Sequence, residues 1–318
     1  MNDFPLTIES NAFYGDWAQN ERGIFATNLG AQIFFETNNT ITITFAWHNN
    51  VFDEGQGPSA VTYKIDEGDW NTIELGNHDF SIALPDKGHH NVRVMTKGLT
   101  TIRGDYWTGS QRFQIEKISY DGEISGVAPQ RDMIYFIGDS ITNGQKMKQP
   151  STTPASHYPE LSYGTVIADN LDLNGLLIAY GGVGITAKAN FATPSGDDFV
   201  WYMNSDTKRP LHNHLKTRLV VVNIGTNDSR ATDKEFAFSL KSFNRELHKR
   251  FHGIKFLYLV PFNQNFVEVF RKLVPTFENS LLVETENWGI EIGDQVHPNF
   301  NGEKTIIEKL QPIIEKNI

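Results

Sequence analysis

The chain of 318 residues contains no cysteine. This absence excludes a disulfide framework, a thiol nucleophile and a zinc site built from thiolates. If the protein has a nucleophile, that nucleophile is therefore an oxygen or an amine. The absence does not limit the fold, because 39% hydrophobic and 21% charged residues are typical of a folded protein.

Basic residues and long apolar runs are also scarce. The chain has 28 Lys+Arg against 38 Asp+Glu, a net charge of -10, which argues against a nucleic-acid partner. The most apolar stretches, Leu176–Tyr180 and Leu219–Ile224, are much shorter than the ~20 residues that span a bilayer. The N-terminus shows no signal peptide. We therefore expect a cytoplasmic protein without a nucleic-acid or membrane partner, or a secreted one if a leader was removed; homo-oligomers remain open.

The first third of the chain has the alternation of β-strands. Ile41, Ile43, Phe45 and Trp47 alternate with small or polar residues, as in a strand with one buried face. Similar runs recur at regular spacing, separated by turns rich in Gly, Pro, Asn and Asp. At ~150 residues per domain the length predicts two domains. We expect the first, residues 1–125, to be a β-sandwich.

The remaining residues, 126–318, alternate between short apolar runs and helices. Met133–Ile137, Leu219–Ile224 and Lys255–Val260 have the composition of strands buried on both faces of a parallel sheet. A capping box, Thr232 with Glu235, precedes an amphipathic helix. These features predict a doubly wound α/β domain. We expect Pro312 to kink or shorten the last helix, and we expect Gln145–Pro159, with three prolines, to form a long surface loop.

Polar residues follow three of the predicted strands, where open parallel sheets place their sites. Gly138-Asp139-Ser140 could expose a serine hydroxyl at a strand-to-helix turn, and Gly225-Thr226-Asn227-Asp228 could direct an amide at a developing oxyanion. The glycines of Ala179–Gly184 would let backbone N–H groups approach a ligand closely. Each motif alone is also common in ordinary turns. The glycine motif lacks the full dinucleotide fingerprint, so no cofactor is expected.

A fourth motif precedes the last helix. Asp294 lies three residues before His297, a spacing at which a carboxylate can hold Nδ1 of the ring and leave Nε2 free as a base. A single histidine beside a proline is more commonly a loop residue. The joint occurrence of four such motifs, in this order, is far less expected by chance than any one of them.

From about residue 131 to 318 the chain resembles the SGNH hydrolase (GDSL esterase) superfamily. The resemblance implies a flavodoxin-like three-layer domain in which Ser140 is the nucleophile, His297 the base and Asp294 the residue that orients it. It also implies an oxyanion hole formed by the N–H groups of Ser140 and Gly184 and the side chain of Asn227. Gly182 is the alternative glycine donor. Neither a metal nor an organic cofactor is implied.

The first domain adds a second resemblance. Tyr63–Trp70, Ile82–His90 and Phe113–Gly122 are similar to the N-terminal jelly roll of carbohydrate esterase family 2. Enzymes of that family remove O-acetyl groups from xylan, mannan and related sugars. The resemblance therefore implies a serine esterase that acts on a small acetylated carbohydrate through an acetyl-enzyme.

Alternatives remain open for the function and for several residues. A lysophospholipase or thioesterase could use the same scaffold, and a non-catalytic carbohydrate-binding protein could use the sandwich. Gly182, Trp201 and Trp288 are candidate substrate contacts, although the two tryptophans could equally belong to the core. The paired histidines have no carboxylate in a known ligand pattern, so we expect solvated side chains and no metal; these pairs are His89 with His90, His212 with His214, and His248 with His252.

Overall fold

The computed structural model describes residues 1–48, 57–76, 78–100, 107–108, 111–148, 153–190 and 194–318. The chain forms two compact units, Met1–Gln130 with Thr152–Glu160, and Arg131–Ser151 with Leu161–Ile318. The first unit thus extends beyond the predicted boundary at residue 125. The reason is hydrogen bonding, because the N–H groups of Val127 and Ala128 still donate to Phe34 and Asn11 in the sandwich, at 3.1 and 2.7 Å.

The first unit is a jelly-roll sandwich of two antiparallel sheets. One sheet has the order β3-β4-β11-β6-β9 with β1 beside β11, and the other has the order β12-β5-β10-β7-β8 with β2 beside β5. The strands are β1 Asn2–Asp3, β2 Phe13–Tyr14, β3 Ala18–Asn20, β4 Gly23–Ala26, β5 Gln32–Asn38, β6 Thr42–His48, β7 Ser59–Ile65, β8 Asn71–Leu75, β9 Phe80–Ala83, β10 His90–Gly98, β11 Phe113–Tyr120 and β12 Glu123–Gly126.

The sandwich core follows from the alternation in the sequence. In β6 the side chains of Ile43, Phe45 and Trp47 are buried, and the residues between them are partly exposed. Phe45 stacks on Phe80 of the neighbouring strand with ring centroids 4.7 Å apart. Alternate residues of a strand point to opposite faces, so this pattern directs the large apolar side chains between the two sheets.

The predicted surface loop Gln145–Pro159 is largely buried where the structure describes it; residues 149–152 lie outside the described ranges. It contains the 3₁₀ turn Pro154–Ser156 and leads into a second one, Pro159–Leu161. Glu160 in the second turn forms an ion pair with the fully buried Lys97 of β10. A buried ammonium requires a counter-charge, which explains why this segment packs into the sandwich unit.

The second unit is a parallel sheet between two layers of helices. The sheet order is β14-β13-β15-β16-β17, which confirms the predicted doubly wound, flavodoxin-like arrangement. The elements are β13 Met133–Gly138, α1 Tyr163–Asn170, β14 Asn174–Ala179, α2 Gly196–Trp201, β15 Thr217–Asn223, α3 Asp233–Arg250, β16 Phe256–Leu259, α4 Val267–Leu273, β17 Ser280–Val283 and α5 Phe300–Glu315.

Two helices test the sequence predictions directly. The capping box of α3 is present, because Thr232 Oγ1 accepts from the Glu235 N–H and the Glu235 carboxylate accepts from the Thr232 N–H. The expectation that Pro312 could shorten the last helix was wrong, because α5 continues through Pro312 to Glu315. Ile306, Leu310 and Ile314 are fully buried along α5, and this packing carries the helix past the proline. In the described part of the chain no helix has the length and apolar character needed to cross a bilayer.

Candidate active site

The candidate site lies at the carboxyl end of β13. This strand pairs with β14 on one side and β15 on the other, so the chain leaves β13 toward one side of the sheet and later returns on the opposite side. Such a reversal opens a crevice beyond the strand ends. Ser140 follows β13, Gly184 follows β14 and Asn227 follows β15. The sheet order therefore brings together three motifs that are far apart in the sequence.

The structure places the three predicted triad side chains in one hydrogen-bonded series. His297 Nε2 lies 2.9 Å from Ser140 Oγ, and His297 Nδ1 lies 2.8 Å from Asp294 Oδ2. Ser140 and His297 are only 5% and 8% exposed. The spacing of hydroxyl, imidazole and carboxylate is the one that activation of a serine by a base requires.

The loop before α5 folds around Asp294. One oxygen of its carboxylate, Oδ1, accepts from the backbone N–H groups of Val296 and His297, both at 2.7 Å. The other oxygen is thereby directed at the ring of His297. The loop ends at Asn299, whose side chain caps α5 by accepting from the Gly302 N–H at 2.9 Å. Local turn chemistry thus holds the acid and the base at a fixed spacing.

The protonation states suit base catalysis. Burial lowers the pKa of His297, and the Asp294 carboxylate only partly opposes this, so the imidazole is neutral near pH 7. Burial acts to raise the pKa of Asp294, but the N–H groups of His297 and Val296, together with the imidazole, outweigh it and hold the pKa at about 2. A neutral base therefore faces a charged carboxylate.

Asn227 lies at the site, with its amide already engaged. Its Nδ2 donates to Val183 O at 3.0 Å and to Asp139 Oδ2 at 3.2 Å, and its Oδ1 accepts from Asn190 at 3.0 Å. An oxyanion would compete with two protein acceptors for these hydrogens. The Ser140 N–H, in contrast, makes no hydrogen bond within the described ranges.

Gly184 and Gly182 belong to the loop after β14. A Cβ on Gly184 would lie 2.5 Å from Asp228 Oδ2 and 2.6 Å from the Ala189 Cβ, so only glycine fits there. Asp228 holds this loop by accepting from the Ile185 and Thr186 N–H groups at 3.2 and 2.8 Å. Gly182 has a φ of 74°, a conformation that favours glycine.

Asp139 and Asp228 are buried carboxylates whose importance the sequence analysis missed. Burial raises the pKa of Asp139 to about 7, and the nearby charge of Asp228 acts in the same direction. Asp139 Oδ1 accepts from the Ile141 N–H at 3.0 Å, while its other oxygen binds Asn227. Both residues lie within motifs that the sequence analysis singled out, but an acid beside Ser or Asn also occurs in ordinary turns.

Tyr163 and Glu303 support the turn that follows Ser140. The Tyr163 hydroxyl lies 2.7 Å from Thr142 Oγ1, and the Tyr163 N–H donates to the Glu303 carboxylate at 2.9 Å. Burial raises the pKa of Glu303 to about 8. These contacts connect α1 and α5 to the residues that follow Ser140, and neither residue carried a motif in the sequence.

The two tryptophans proposed as substrate contacts differ in their surroundings. Trp201 Nε1 donates to Glu246 at 3.1 Å, and the Arg250 guanidinium lies 5.7 Å from the ring centroid. These contacts show Trp201 packing on α3 rather than alongside the triad. Trp288 packs on Phe262 with centroids 6.1 Å apart and belongs to the same partly buried cluster as Val296, next to His297.

The expectation of solvated histidines was wrong for His90. Its ring lies between the carboxylates of Asp66 and Asp86, at 2.8 and 3.1 Å, and the residue is buried. The hydrogen bond to Asp66 is the main cause that raises the pKa of His90. Across the described residues, no group of three or more histidines and carboxylates is arranged to hold a metal ion.

Comparison with known proteins identifies the family. Residues 134–310, more than half of the chain, match the GDSL-like Lipase/Acylhydrolase family. The chain therefore belongs to this family of acyl hydrolases, as the sequence motifs predicted.

One curated relative and two solved structures extend the comparison. The chain is 30% identical over 134 residues to the cellulase/esterase CelE of Acetivibrio thermocellus, a match that covers 39% of this chain and only 16% of that protein. A family 2 carbohydrate esterase structure from Corynascus thermopiles (Myceliophthora fergusii) has a TM-score of 0.78 and 18% identity, covering 96% of this chain and 98% of that one. The acetyl xylan esterase Est2A of Butyrivibrio proteoclasticus has a TM-score of 0.74 and 15% identity, covering 99% and 98%. The predicted fold, a jelly roll followed by an SGNH domain, is thereby confirmed.

Proposed function

We propose that this protein is a serine esterase that removes O-acetyl groups from acetylated carbohydrates, such as xylan, mannan or their oligosaccharides, through an acetyl-enzyme. The observation that carries the proposal is the hydrogen-bonded series from Ser140 through His297 to Asp294 at the carboxyl end of β13. Its similarity in fold to an acetyl xylan esterase, and in sequence to a cellulase/esterase, supports the choice of a carbohydrate ester.

In the first half-reaction Ser140 Oγ attacks the acetyl carbonyl carbon while His297 Nε2 takes the hydroxyl proton. Asp294 holds the ring and stabilises the resulting imidazolium. The tetrahedral intermediate then collapses with cleavage of the bond between the acetyl carbon and the sugar oxygen. His297 gives its proton to that oxygen, so the deacetylated sugar leaves as a neutral alcohol and the acetyl group remains on Ser140.

The second half-reaction repeats these steps with water. His297 removes a proton from water as the water oxygen attacks the acetyl carbon. The bond between that carbon and Ser140 Oγ then breaks, His297 returns the proton to Oγ, and acetic acid leaves and ionises to acetate. In both steps the N–H groups of Ser140 and Gly184 are the expected oxyanion donors. Asn227 contributes to oxyanion stabilisation when its amide N–H gives up its hydrogen bond to Val183 O or to Asp139 and donates to the developing oxyanion. One such donor typically accounts for about 3–4 kcal/mol of transition-state stabilisation.

The test combines two substrate series. A panel of p-nitrophenyl esters of increasing acyl length should show the highest kcat/KM for acetate. Acetylated xylo- and manno-oligosaccharides should release acetate, measured by an enzyme-coupled assay. Ser140→Ala should abolish turnover with both series. Ser205→Ala, an exposed serine of the same unit, is the matched control and should leave the rates unchanged.

Two outcomes would replace the proposal. A preference for long acyl chains would favour a lysophospholipase or thioesterase on the same scaffold. Tight binding of the oligosaccharides without acetate release, and without hydrolysis of p-nitrophenyl acetate, would favour a carbohydrate-binding protein that does not catalyse.

A further inference from the structure

A second cleft lies at the amino ends of the strands of the parallel sheet, whereas the triad lies at their carboxyl ends. It has a volume of about 280 Å³ and is formed by the segment before β15, the end of α3 and the turn that follows it. Thr217 in its wall is the first residue of β15 and pairs with Met133, the first residue of β13. Since Ser140 follows the last residue of β13, the length of that strand separates this cleft from the candidate active site. Polar side chains in its lining include Tyr135, His212, Asn213, Thr217, Arg250 and His252.

Arg250 supplies the charge of this cleft. Its guanidinium lies over the rings of Trp201 and Phe251, at 5.7 and 5.6 Å from their centroids. One terminal nitrogen donates to Pro210 O at 2.8 Å, whereas Nε is buried without a hydrogen-bond partner. The guanidinium is therefore held in place by aromatic faces and one carbonyl, with donor capacity remaining.

No carboxylate neutralises Arg250 within ion-pair distance in the described part of the chain. Glu246 lies one helical turn earlier, but its carboxylate is engaged by Lys249 at 2.7 Å and by Trp201 Nε1 at 3.1 Å. The C-terminal end of α3 offers only about half a negative charge. The charge of Arg250 is thus incompletely balanced by its own surroundings.

A second guanidinium, that of Arg209, lies near Arg250. Arg209 is buried and donates to the backbone carbonyls of Phe199 and Tyr202, at 3.1 and 3.0 Å. Burial lowers the pKa of Arg209, and the nearby charge of Arg250 lowers it further. Burial also lowers the pKa of Arg250, to about 10. The nearby cation of Arg209 therefore does not balance the charge of Arg250.

We propose that this cleft binds a small oxyanion, the phosphate or carboxylate group of a metabolite, against the guanidinium of Arg250. A planar guanidinium fits the oxygens of either group in a two-point contact. Asn213 and His252 line the same cleft, and their side chains carry N–H groups that can donate to an anion. The cleft volume exceeds that of an inorganic ion, which leaves room for the rest of a small molecule.

The experiment measures binding to the full-length protein. Inorganic phosphate and malonate serve as the two probes, in isothermal titration calorimetry and in thermal unfolding, with sodium chloride used to match ionic strength. We expect at least one probe to bind and to raise Tm, and the stronger of the two identifies the group. Binding should be unchanged in Ser140→Ala, because the candidate active site is not involved.

Two arginines of α3 provide the matched comparison. Arg250→Gln should weaken binding of the preferred probe by about tenfold or more, whereas Arg245→Gln, at an exposed position, should leave it unchanged. If Arg250→Gln does not fold, Arg250→Lys retains the charge without the two-point contact and should weaken binding several-fold. Equal affinity in a folded Arg250 variant, or no binding of either probe beyond the chloride control, would overturn the proposal.

Discussion

Asp294→Asn tests how the Asp294 carboxylate controls the ring of His297. In the wild type Asp294 Oδ1 accepts from the N–H groups of Val296 and His297 at 2.7 Å, and Oδ2 faces His297 Nδ1 at 2.8 Å. An asparagine would keep its oxygen toward the two backbone donors, because its amide nitrogen cannot accept from them. Its NH₂ group would then face Nδ1, which must become the acceptor. The ring proton would move to Nε2, where the wild type has the lone pair that deprotonates Ser140.

The expected loss of activity in Asp294→Asn is therefore large, although the hydrogen bonds from the backbone N–H groups of Val296 and His297 remain. A wrong tautomer in such a triad lowers kcat by about 10⁴, or roughly 5 kcal/mol of activation free energy. The assay is hydrolysis of p-nitrophenyl acetate, with circular dichroism and Tm to verify the fold. Asp294→Ala is the comparison, since it removes the carboxylate without imposing a tautomer, and it should retain more activity than Asp294→Asn. A rate for Asp294→Asn within tenfold of the wild type would refute the tautomer argument and leave a Ser140–His297 dyad.

Three further predictions concern protonation and buried charge. First, kcat/KM should rise with pH through a single inflection below the ordinary histidine pKa of ~6.5, because burial lowers the pKa of His297; an inflection above 7 would contradict this assignment. Second, the pKa of Glu303 is raised to about 8, so the folded state holds a proton that the unfolded chain loses above ~4.3. The stability from this group is present at low pH and lost as pH rises toward 8. In urea unfolding measured across this pH range, Glu303→Gln should flatten the decline in unfolding free energy; an unaltered pH dependence would contradict the role of Glu303. Third, Lys97→Met removes the ion-pair partner of the buried Glu160 carboxylate and should lower the unfolding free energy by about 3–5 kcal/mol. The double variant Lys97→Met/Glu160→Leu should largely restore it. Additive losses in the double variant would disprove the pairing.

Much of the fold could be predicted from the sequence because its signals are local. The alternation of Ile43, Phe45 and Trp47 marks a half-buried strand without knowledge of its partners. The capping box at Thr232 marks a helix start for the same reason. Lys97 shows the limit of such signals: it lies in a strand as a charged residue, and its partner Glu160 is 63 positions away. Nothing within a local window predicts that pair, so the segment that ends just before Glu160, Gln145–Pro159, was expected on the surface.

The candidate site also combines contacts that local sequence predicts with contacts that it does not. Asp294 and His297 are three residues apart, so their contact follows from chain geometry alone. Ser140 and His297 are 157 residues apart, and only the order of the family motifs placed them together. The roles of Asp139 and Asp228 depend on complete burial, which a single sequence does not show. Trp201 was a candidate substrate contact because of its chemistry, with a core position as the alternative. The surroundings of an aromatic ring depend on helix packing, here on the contacts with Glu246 and Arg250.

The central claim is that Ser140 carries the acyl group between the two half-reactions. The most direct measurement is mass spectrometry of the protein, quenched in acid during steady-state turnover of p-nitrophenyl acetate and digested into peptides. The account predicts one added acetyl group on the peptide that contains Ser140, and no such group in Ser140→Ala. An acetyl group on a different residue, or turnover by Ser140→Ala at the wild-type rate, would contradict it.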